Sequence, residues 1–567
     1  MEKSISINFM VIKINFTIIA VKLLGVKDMY RYFLISISIL IGLILIFRNS
    51  FIFLQKKINT SDAVYAFKDE LNVLHSTKKN GLRISVLASY ANEKSILHEL
   101  PVLIEYLRNG FSIRLVMPSN IKIKNVYAML GFEDFSFMLR PKSYFVVAAQ
   151  LMFNEHDRFD VLNRFKLEEW INSEFKYCIS TYCRIVRIAP SDLFKLEKNK
   201  FKMSKFILDS IVCKYEANIL ANEIENKEIL VTDRGYTPGG QYFSAFVDLN
   251  KTAVSWNAAH RNNAYILKRF NNKNKDQHPS SVSNFIEIKD KFFINNENNW
   301  IDLKAELQSL YDKKNWYPEV GTQAFIDSSK RVEIKTALPK VCIFPHIFYD
   351  GTFFWGNDLF EDYKEWFLET LIVAKDNPNI HWIIKLHPAH IVKNERDGHN
   401  VVGEKSIIND VFGINLPINF TVLEPNTPIS TFDLIQTLSG IVTVRGTVGL
   451  EAAMFGKHVI TAGTGRYSNL GFTVDFHSKE RYLNYLKNLN ATVLKNNRFT
   501  NKDLARKLGM IIFQKRIFEP KYLKFGFENN KSADLIINKN SSITEEFDEN
   551  MKKFICSSDE DYLNNFG

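Results

Sequence analysis

Between residues 83 and 118 the chain alternates apolar runs with one amphipathic stretch. "RISVLASY" is apolar without alternation, which marks a strand buried on both faces. "ILHELPVLIEYLRNG" repeats its apolar residues at helical spacing and closes on Gly110, and "FSIRLVMPS" is a second strand. This strand–helix–strand opening predicts a parallel sheet. Helices are predicted around Glu168 and over 201–225, followed by "EILVTDRGYTPGG", "KTAVSWNAAHRNNAYILKRF" and a polar loop over 271–275. A second alternating series begins near residue 336 with "KVCIFPHIF", "DLFEDYKEWFLETLIVAKD", "HWIIKL" and, after a polar insertion over 394–409, "INFTVLEP". It ends in a strand over 441–444, a helix over 447–455 stopped by Gly456, and a strand over 458–461. The pattern predicts an α/β chain of two Rossmann-like domains facing a cleft, over 61–335 and 336–510. An apolar segment over 1–60 precedes them, and a helical extension with a peripheral acidic tail follows over 511–567.

Composition changes this picture little. The chain has 567 residues, of which 46% are hydrophobic and 24% charged, enough for a sizeable core. Its net charge of +11 is scattered rather than gathered on one arm, which argues against nucleic acid and fits a phosphorylated substrate or an anionic lipid surface. Five cysteines without a C-x-x-C pair read as buried thiols in a reducing compartment. Residues 32–47 are uncharged and apolar, slightly short of the roughly twenty residues that cross a bilayer. They read either as a single membrane anchor or as a buried or interfacial helix. No small-residue cleavage site follows.

Three stretches carry candidate chemistry. "TVRGTVGLEAAMFGKHVITAGTGRY" sets Arg445, Gly446, Thr447, Gly449 and Glu451 at a strand-to-helix turn and Gly463, Thr464, Gly465 and Arg466 at a second turn. In a parallel sheet both turns lie at the carboxyl edge, where helix-start N–H groups and two arginines suit an anion. Thr447 is the expected helix cap, and a tight connection without a ligand is the bland alternative. In "KLHPAH", His387 ends a strand and is placed to meet a phosphate or protonate a leaving group, or else to cap a turn. His390 reads as a loop residue. In "VTDRGYTPGG", Asp233 ends a strand and is either a general base or an Asx-turn residue. Asn257, His260, Arg261 and Lys268 form a polar, basic cluster for an acidic sugar or phosphate, or a solvated helix face. Asp350 and the aromatics Phe353, Phe354 and Trp355 lie in a further turn where rings would stack on a sugar. The phosphate loop GxxxxGK[ST], GxSxG, HExxH and an early GxGxxG are all absent. No metal and no cofactor is expected.

"KLHP" followed by "EPNTPIS…DLIQTLSGIVTVRGTVGLEAAMFGKHVITAGTGRYSNLGFTVD" resembles the bacterial capsule and surface-polysaccharide biosynthesis proteins. These are similar to GT-B glycosyltransferases related to the capsular Kdo transferases. "TDRGYTPGG…VSWNAAHRNNAYILKRF…DQHPSSVS" resembles their N-terminal half, so the likeness spans roughly residues 210–480. It implies a GT-B-like fold and transfer of a sugar from a nucleotide-sugar donor to a capsular or lipid-linked glycan or glycolipid acceptor. It also implies work at the cytoplasmic face of the bacterial inner membrane, single-pass or peripheral, beside other capsule-assembly proteins. Donor phosphate would fall to His387 and to residues 445–447, and the base to Asp233. The turn reads Arg-Gly-Thr where a Ser-Ser or Ser-Thr pair would be expected, which leaves the nucleotide open. A CDP-polyol phosphotransferase and a non-catalytic scaffold of capsule export are the other readings.

Overall fold

The computed structural model describes residues 29–52, 68, 71–76, 80–88, 93–118, 120–153, 159–162, 164–260, 263–291, 296–311, 334–350, 353–387, 390, 394, 403–427, 429–496, 500–521, 523–526, 534–537 and 548–564.

Two six-stranded sheets hold the chain's order. The first contains β1 (Arg83–Leu87), β2 (Ser112–Pro118), β3 (Asp134–Met138), β4 (Asn226–Val231), β5 (Thr252–Ala258) and β6 (Tyr265–Phe270). They lie side by side as β3-β2-β1-β4-β5-β6. All pairs are parallel except β5 with β6, which is antiparallel. The second contains β7 (Lys340–Ile343), β8 (His381–Lys385), β9 (Phe420–Leu423), β10 (Gly440–Thr443), β11 (His458–Thr461) and β12 (Val474–Asp475). Its order, β12-β11-β10-β7-β8-β9, is the same winding, parallel throughout. In each sheet the order reverses beside the first strand, between β1 and β4 and between β7 and β10. Doubly wound sheets bind ligands outside the carboxyl ends of the strands at that reversal.

The central strands are apolar on both faces because helices cover both. Val86, Val231, Ile343, Ile384 and Val442 are all fully buried. The helices that matter below are α1 (Met29–Ile52), α2 (Glu93–Arg108), α3 (Pro141–Phe153), α4 (Lys176–Val186), α5 (Ser204–Asn222), α6 (Gly239–Asp248), α7 (Tyr363–Lys375), α8 (Thr447–Met454) and α9 (Glu549–Cys556).

Three expectations change. The apolar N-terminal segment does form a helix, α1, but that helix lies along the protein. Tyr30, Phe33, Leu34 and Ile35 are buried against α3 and α5, Ser38 Oγ donates to the Tyr144 carbonyl (2.7 Å), and Tyr30 OH donates to that of Lys200 (2.7 Å). Among the described residues no helix is long and apolar enough to cross a membrane. Secondly, the acidic tail is not peripheral over its described part. Met551, Phe554, Ile555 and Tyr562 join the core around β1 and α2, because the chain returns from the second sheet to the first. Asp561 there meets Lys268 Nζ (2.9 Å) and Arg516 Nη2 (2.8 Å), two fully buried cations. Thirdly, the stretch around residues 252–270 is a strand pair rather than a helix face. The fold is a mixed α/β architecture of two doubly wound sheets.

Candidate functional site

Strand register gathers the site. Ile343, Ile384 and Val442 are registered partners on β7, β8 and β10, and Ile460 on β11 pairs with Val442. Three residues beyond each lie His346, His387, Arg445 and Gly463, a row across the carboxyl edge of the second sheet. In the first sheet Leu230 on β4 pairs with Val254 on β5, and three residues beyond lie Asp233 and Asn257. His346 and Arg445 flank the reversal point of one sheet; Asp233 ends the strand at the reversal point of the other.

Arg445 is only 2% exposed, and its guanidinium is ion-paired with Asp358. Burial works against its charge, and the Asp358 carboxylate more than offsets this, so it stays firmly cationic. Its backbone N–H donates to His346 Nε2 at 3.4 Å, which places the proton of that ring on Nδ1. The His346 ring stacks on Tyr363 (4.3 Å between centroids). Burial, Arg445, His387 and Arg466 hold its pKa well below the usual histidine value.

The backbone of the second turn is spent on packing, which leaves its Arg466 side chain as the candidate contact. Thr464 N–H donates to the Asn357 carbonyl (3.0 Å), Thr464 Oγ1 accepts from Asn357 N–H (2.7 Å), and Gly465 N–H donates to Ser468 Oγ (2.8 Å). Gly463 has φ +113°, and a Cβ there would lie 2.3 Å from the Asn357 oxygen. Thr464 N–H thus docks the turn on Asn357 and Gly465 N–H closes it on Ser468, so neither is presented to an anion. Gly449 is likewise a packing residue, with the Tyr467 hydroxyl against it donating to the Gly446 carbonyl (2.7 Å). Gly446, not Thr447, is the residue before α8, and no side chain caps that helix; Thr447 is its first residue. Glu451 is buried within reach of the Arg466 charge.

Arg466 provides the most informative geometry. Its Nη2 lies 3.2 Å from His278 Nε2. On its other side the His278 ring meets Ser280, with Nδ1 3.0 Å from the Ser280 backbone nitrogen and 2.7 Å from its Oγ. Arg466 Nε is also buried without a hydrogen-bond partner among the described residues. Burial, with Arg466, Arg234, Arg445 and Arg516 nearby, holds His278 well below the usual histidine pKa. The loop carrying His278 is fixed from behind: buried Arg516 donates to the carbonyls of Ser281 (2.8 Å) and Pro279 (3.1 Å), and Lys268 donates to that of Ser281 (3.1 Å).

On the other side, Asp233 adopts a left-handed backbone (φ 54°), which aspartate tolerates better than most residues. Its Oδ2 accepts from Arg184 Nη1 at 2.8 Å, and the side chain is half exposed. Burial disfavours the Arg184 cation, but Asp233, Tyr236 and Asp350 outweigh that and raise its pKa. Asp350 belongs to the second sheet's first loop, so Arg184 feels carboxylates from both units.

The remaining expectations divide. Lys268, expected to meet an acceptor, is fully buried and held by Ser281, Ser283 and Asp561, with burial lowering its pKa to about 8. The His260 ring packs on Phe513 (4.4 Å), and Asn257 Oδ1 accepts from Ser255 Oγ (2.9 Å). Arg261 lies outside the described residues, as do Pro388 and Gly351. His390 is a buried partner of Glu404 (2.7 Å). Phe354 is spent on packing, stacked on Tyr177 (5.0 Å), and Trp355 lies over Arg234 and beside His278. Sequence reasoning missed His346, His278, Asp358 and Arg184. His346 was within reach, since "CIFPH" and "IIKLH" place a histidine at the same distance beyond adjacent strands.

Because His278 and His346 are neutral in the fold, the unfolded chain binds more protons below about pH 6.5. Each histidine then makes stability fall with falling pH, by at most about 1.4 kcal/mol per pH unit. Glu99, pushed up to about 7 by burial, acts in the opposite sense. Thermal melts should show His278→Gln and His346→Gln flattening the loss between about pH 6.5 and 5.5. An unchanged slope would mean that the rings titrate normally.

The doubly wound two-sheet class is therefore joined to a cluster of basic side chains at the strand ends. Residues 326–500, which contain the second sheet, match the model of the family described as capsule polysaccharide biosynthesis protein. The family resemblance read from the sequence holds for this segment. No curated protein matches the chain. Among solved structures, the chain is similar to the Thermosulfurimonas dismutans KpsC beta Kdo 2,4 transferase, with 13% identity, TM-score 0.31, and coverage of 50% of this chain and 80% of that one. For the beta Kdo 2,7 transferase of the same organism the values are 12%, 0.32, 57% and 85%. For UDP-GlcNAc 2-epimerase from Neisseria meningitidis bound to UDP-GlcNAc they are 10%, 0.20, 75% and 98%.

Proposed function

We propose that this chain is a metal-independent GT-B glycosyltransferase that moves a sugar from a nucleotide-sugar donor to a capsular or other surface glycan, free or lipid-linked. The observation that carries the reading is the Arg466 guanidinium beyond β11, which meets His278 and keeps a buried Nε without a hydrogen-bond partner among the described residues, close to the Arg445 charge. A donor diphosphate is an anion of the right kind for those cations. Asp233 at the other sheet's reversal point is then the base that takes the acceptor's hydroxyl proton. His387, in the same row as Arg445, relieves charge on the departing phosphate. Residues 61–335 act as the acceptor domain and 336–510 as the donor domain.

A screen of nucleotides and nucleotide-sugars by thermal unfolding tests this, because a ligand at a hundred times its Kd stabilises by about 2.7 kcal/mol. At least one nucleotide-sugar should raise the Tm, and Arg466→Ala should abolish the rise. If no nucleotide protects, the scaffold reading takes its place. A product carrying new phosphorus would instead identify a polyol-phosphate transferase.

The working place we infer is the cytoplasmic face of the inner membrane, reached by docking on the surface, near other capsule-assembly proteins. In support, α1 buries one face on the protein and exposes Tyr32, Ile39, Leu43, Ile44 and Ile46 on the other. Flotation with anionic vesicles should be lost in Leu43→Glu/Ile44→Glu; flotation unchanged by the pair would remove α1 as the contact.

A further inference from the structure

A cavity of about 290 Å³ lies in the first unit, lined by residues of α4, α5 and α6, by the 275–276 loop and by Phe354. None of the residues assigned above to transfer lines it. Its wall contains Lys176, Tyr177, Arg234, Gln241, Ser244 and Phe354. Four cations (Lys176, Lys214, Arg234 and Lys275) face three carboxylates (Glu174, Asp248 and Asp276) there, and one pair is already closed, Lys214 with Asp248 at 3.3 Å.

Two buried polar atoms on this wall have no hydrogen-bond partner among the described residues. One is the Nε of Arg234, a residue 4% exposed, and the other is the Oε1 of Gln241, 1% exposed. Leaving such groups unsatisfied costs free energy. Arg234 Nε calls for an acceptor, and the Gln241 amide, held at one end by Ser210 Oγ (2.6 Å) and Thr237 Oγ1 (3.0 Å), has its other end unpaired in either orientation. Beside them Tyr177 and Phe354 form a stacked pair (5.0 Å, 5° between planes), with Lys176 Nζ 5.4 and 5.5 Å from the two ring centres. Apolar ring surface, hydrogen-bonding side chains and excess positive charge in one small cavity match a sugar that carries an acid group.

We propose that this cavity is a second saccharide site, separate from the transfer site, which takes one acidic sugar unit such as a uronate. Its existence does not depend on the transfer reaction. Because Phe354 comes from the second unit and the rest of the wall from the first, an occupant bridges the two.

The test titrates the full chain with glucuronate, glucose and inorganic phosphate by calorimetry, with hydrogen exchange read on the same samples. Glucuronate should bind with at least tenfold lower Kd than glucose or phosphate and protect residues 172–177 and 241–248. Lys176→Met, at a partly exposed position, should weaken glucuronate at least tenfold while leaving nucleotide protection intact. Ser244→Ala, which removes only a hydroxyl, serves as the variant if Lys176→Met does not fold, and should weaken it by at least threefold. A longer acidic oligosaccharide that binds more tightly than glucuronate would identify the polymer as the source; equal affinity would identify the free sugar. The proposal is overturned if phosphate binds as well as glucuronate, if neither variant changes affinity, or if protection falls on residues 445–466 instead. Absence of any nucleotide binding alongside normal glucuronate binding would sink the transferase reading and leave this site standing.

Discussion

Arg445→Ala is expected to cost about 2–3 kcal/mol of stability, and its loss of donor affinity should follow from that rather than from a missing phosphate contact. Its guanidinium is committed to Asp358, and it is buried (2% exposed). Breaking a fully buried ion pair by removing one partner costs about 3–5 kcal/mol, and an exposed pair is worth under about 1. Asp358 keeps 23% of its side-chain surface, so water recovers part of the charge left behind and the cost falls between these limits. The pair also ties the first Gly-rich turn to residues 356–358, on which the second turn rests through Gly463 and Thr464. A Tm lower by roughly 4–12 °C is the expected reading for a domain of this size. Arg445→Met with Asp358→Leu should recover most of it, since no charge is then stranded. If Arg445→Ala melts like the wild type but loses nucleotide protection, the arginine is a ligand contact after all.

That reversal of role shows what the sequence carries. The two windings were legible because a parallel strand covered on both faces must be apolar throughout. "RISVL", "EILV", "WIIK" and "GIVT" therefore stand out from the amphipathic helices between them. Asp233, His387, Arg445 and Arg466 were legible as candidates because strand ends at one edge of a parallel sheet lie together whatever the loops do. What each side chain does there was not legible. Arg445 and Arg466 share type, a place beyond a strand end and glycine neighbours, yet one meets Asp358 and the other His278. Both partners come from loops distant in sequence, Asp358 by 87 residues and His278 by 188. Lys268 failed for the same reason: its partner, Asp561, comes from a tail that by composition belonged outside. An antiparallel edge strand that receives a returning chain gives no local sign that its lysine will be covered.

The first sheet carries the prediction with the largest effect on rate. Asp233→Asn should lower turnover by about 10²–10⁴ and leave donor affinity nearly unchanged. Asparagine keeps the shape of the side chain and accepts the left-handed backbone that this position requires (φ 54°), so the turn after β4 survives. It can still offer an oxygen to Arg184 Nη1, so the fold loses little at a half-exposed position. What it loses is the ability to take a proton. Arg184 Nη1 holds the carboxylate oxygen Oδ2 in place at 2.8 Å. Arg184→Gln, which removes the partner that positions Asp233, should also slow transfer, but less. Calorimetric donor affinity and initial rate on both variants decide the matter. If Asp233→Asn turns over near the wild-type rate, the aspartate is a turn former. The base is then to be sought at Asp350, whose charge reaches the same arginine from the opposite unit.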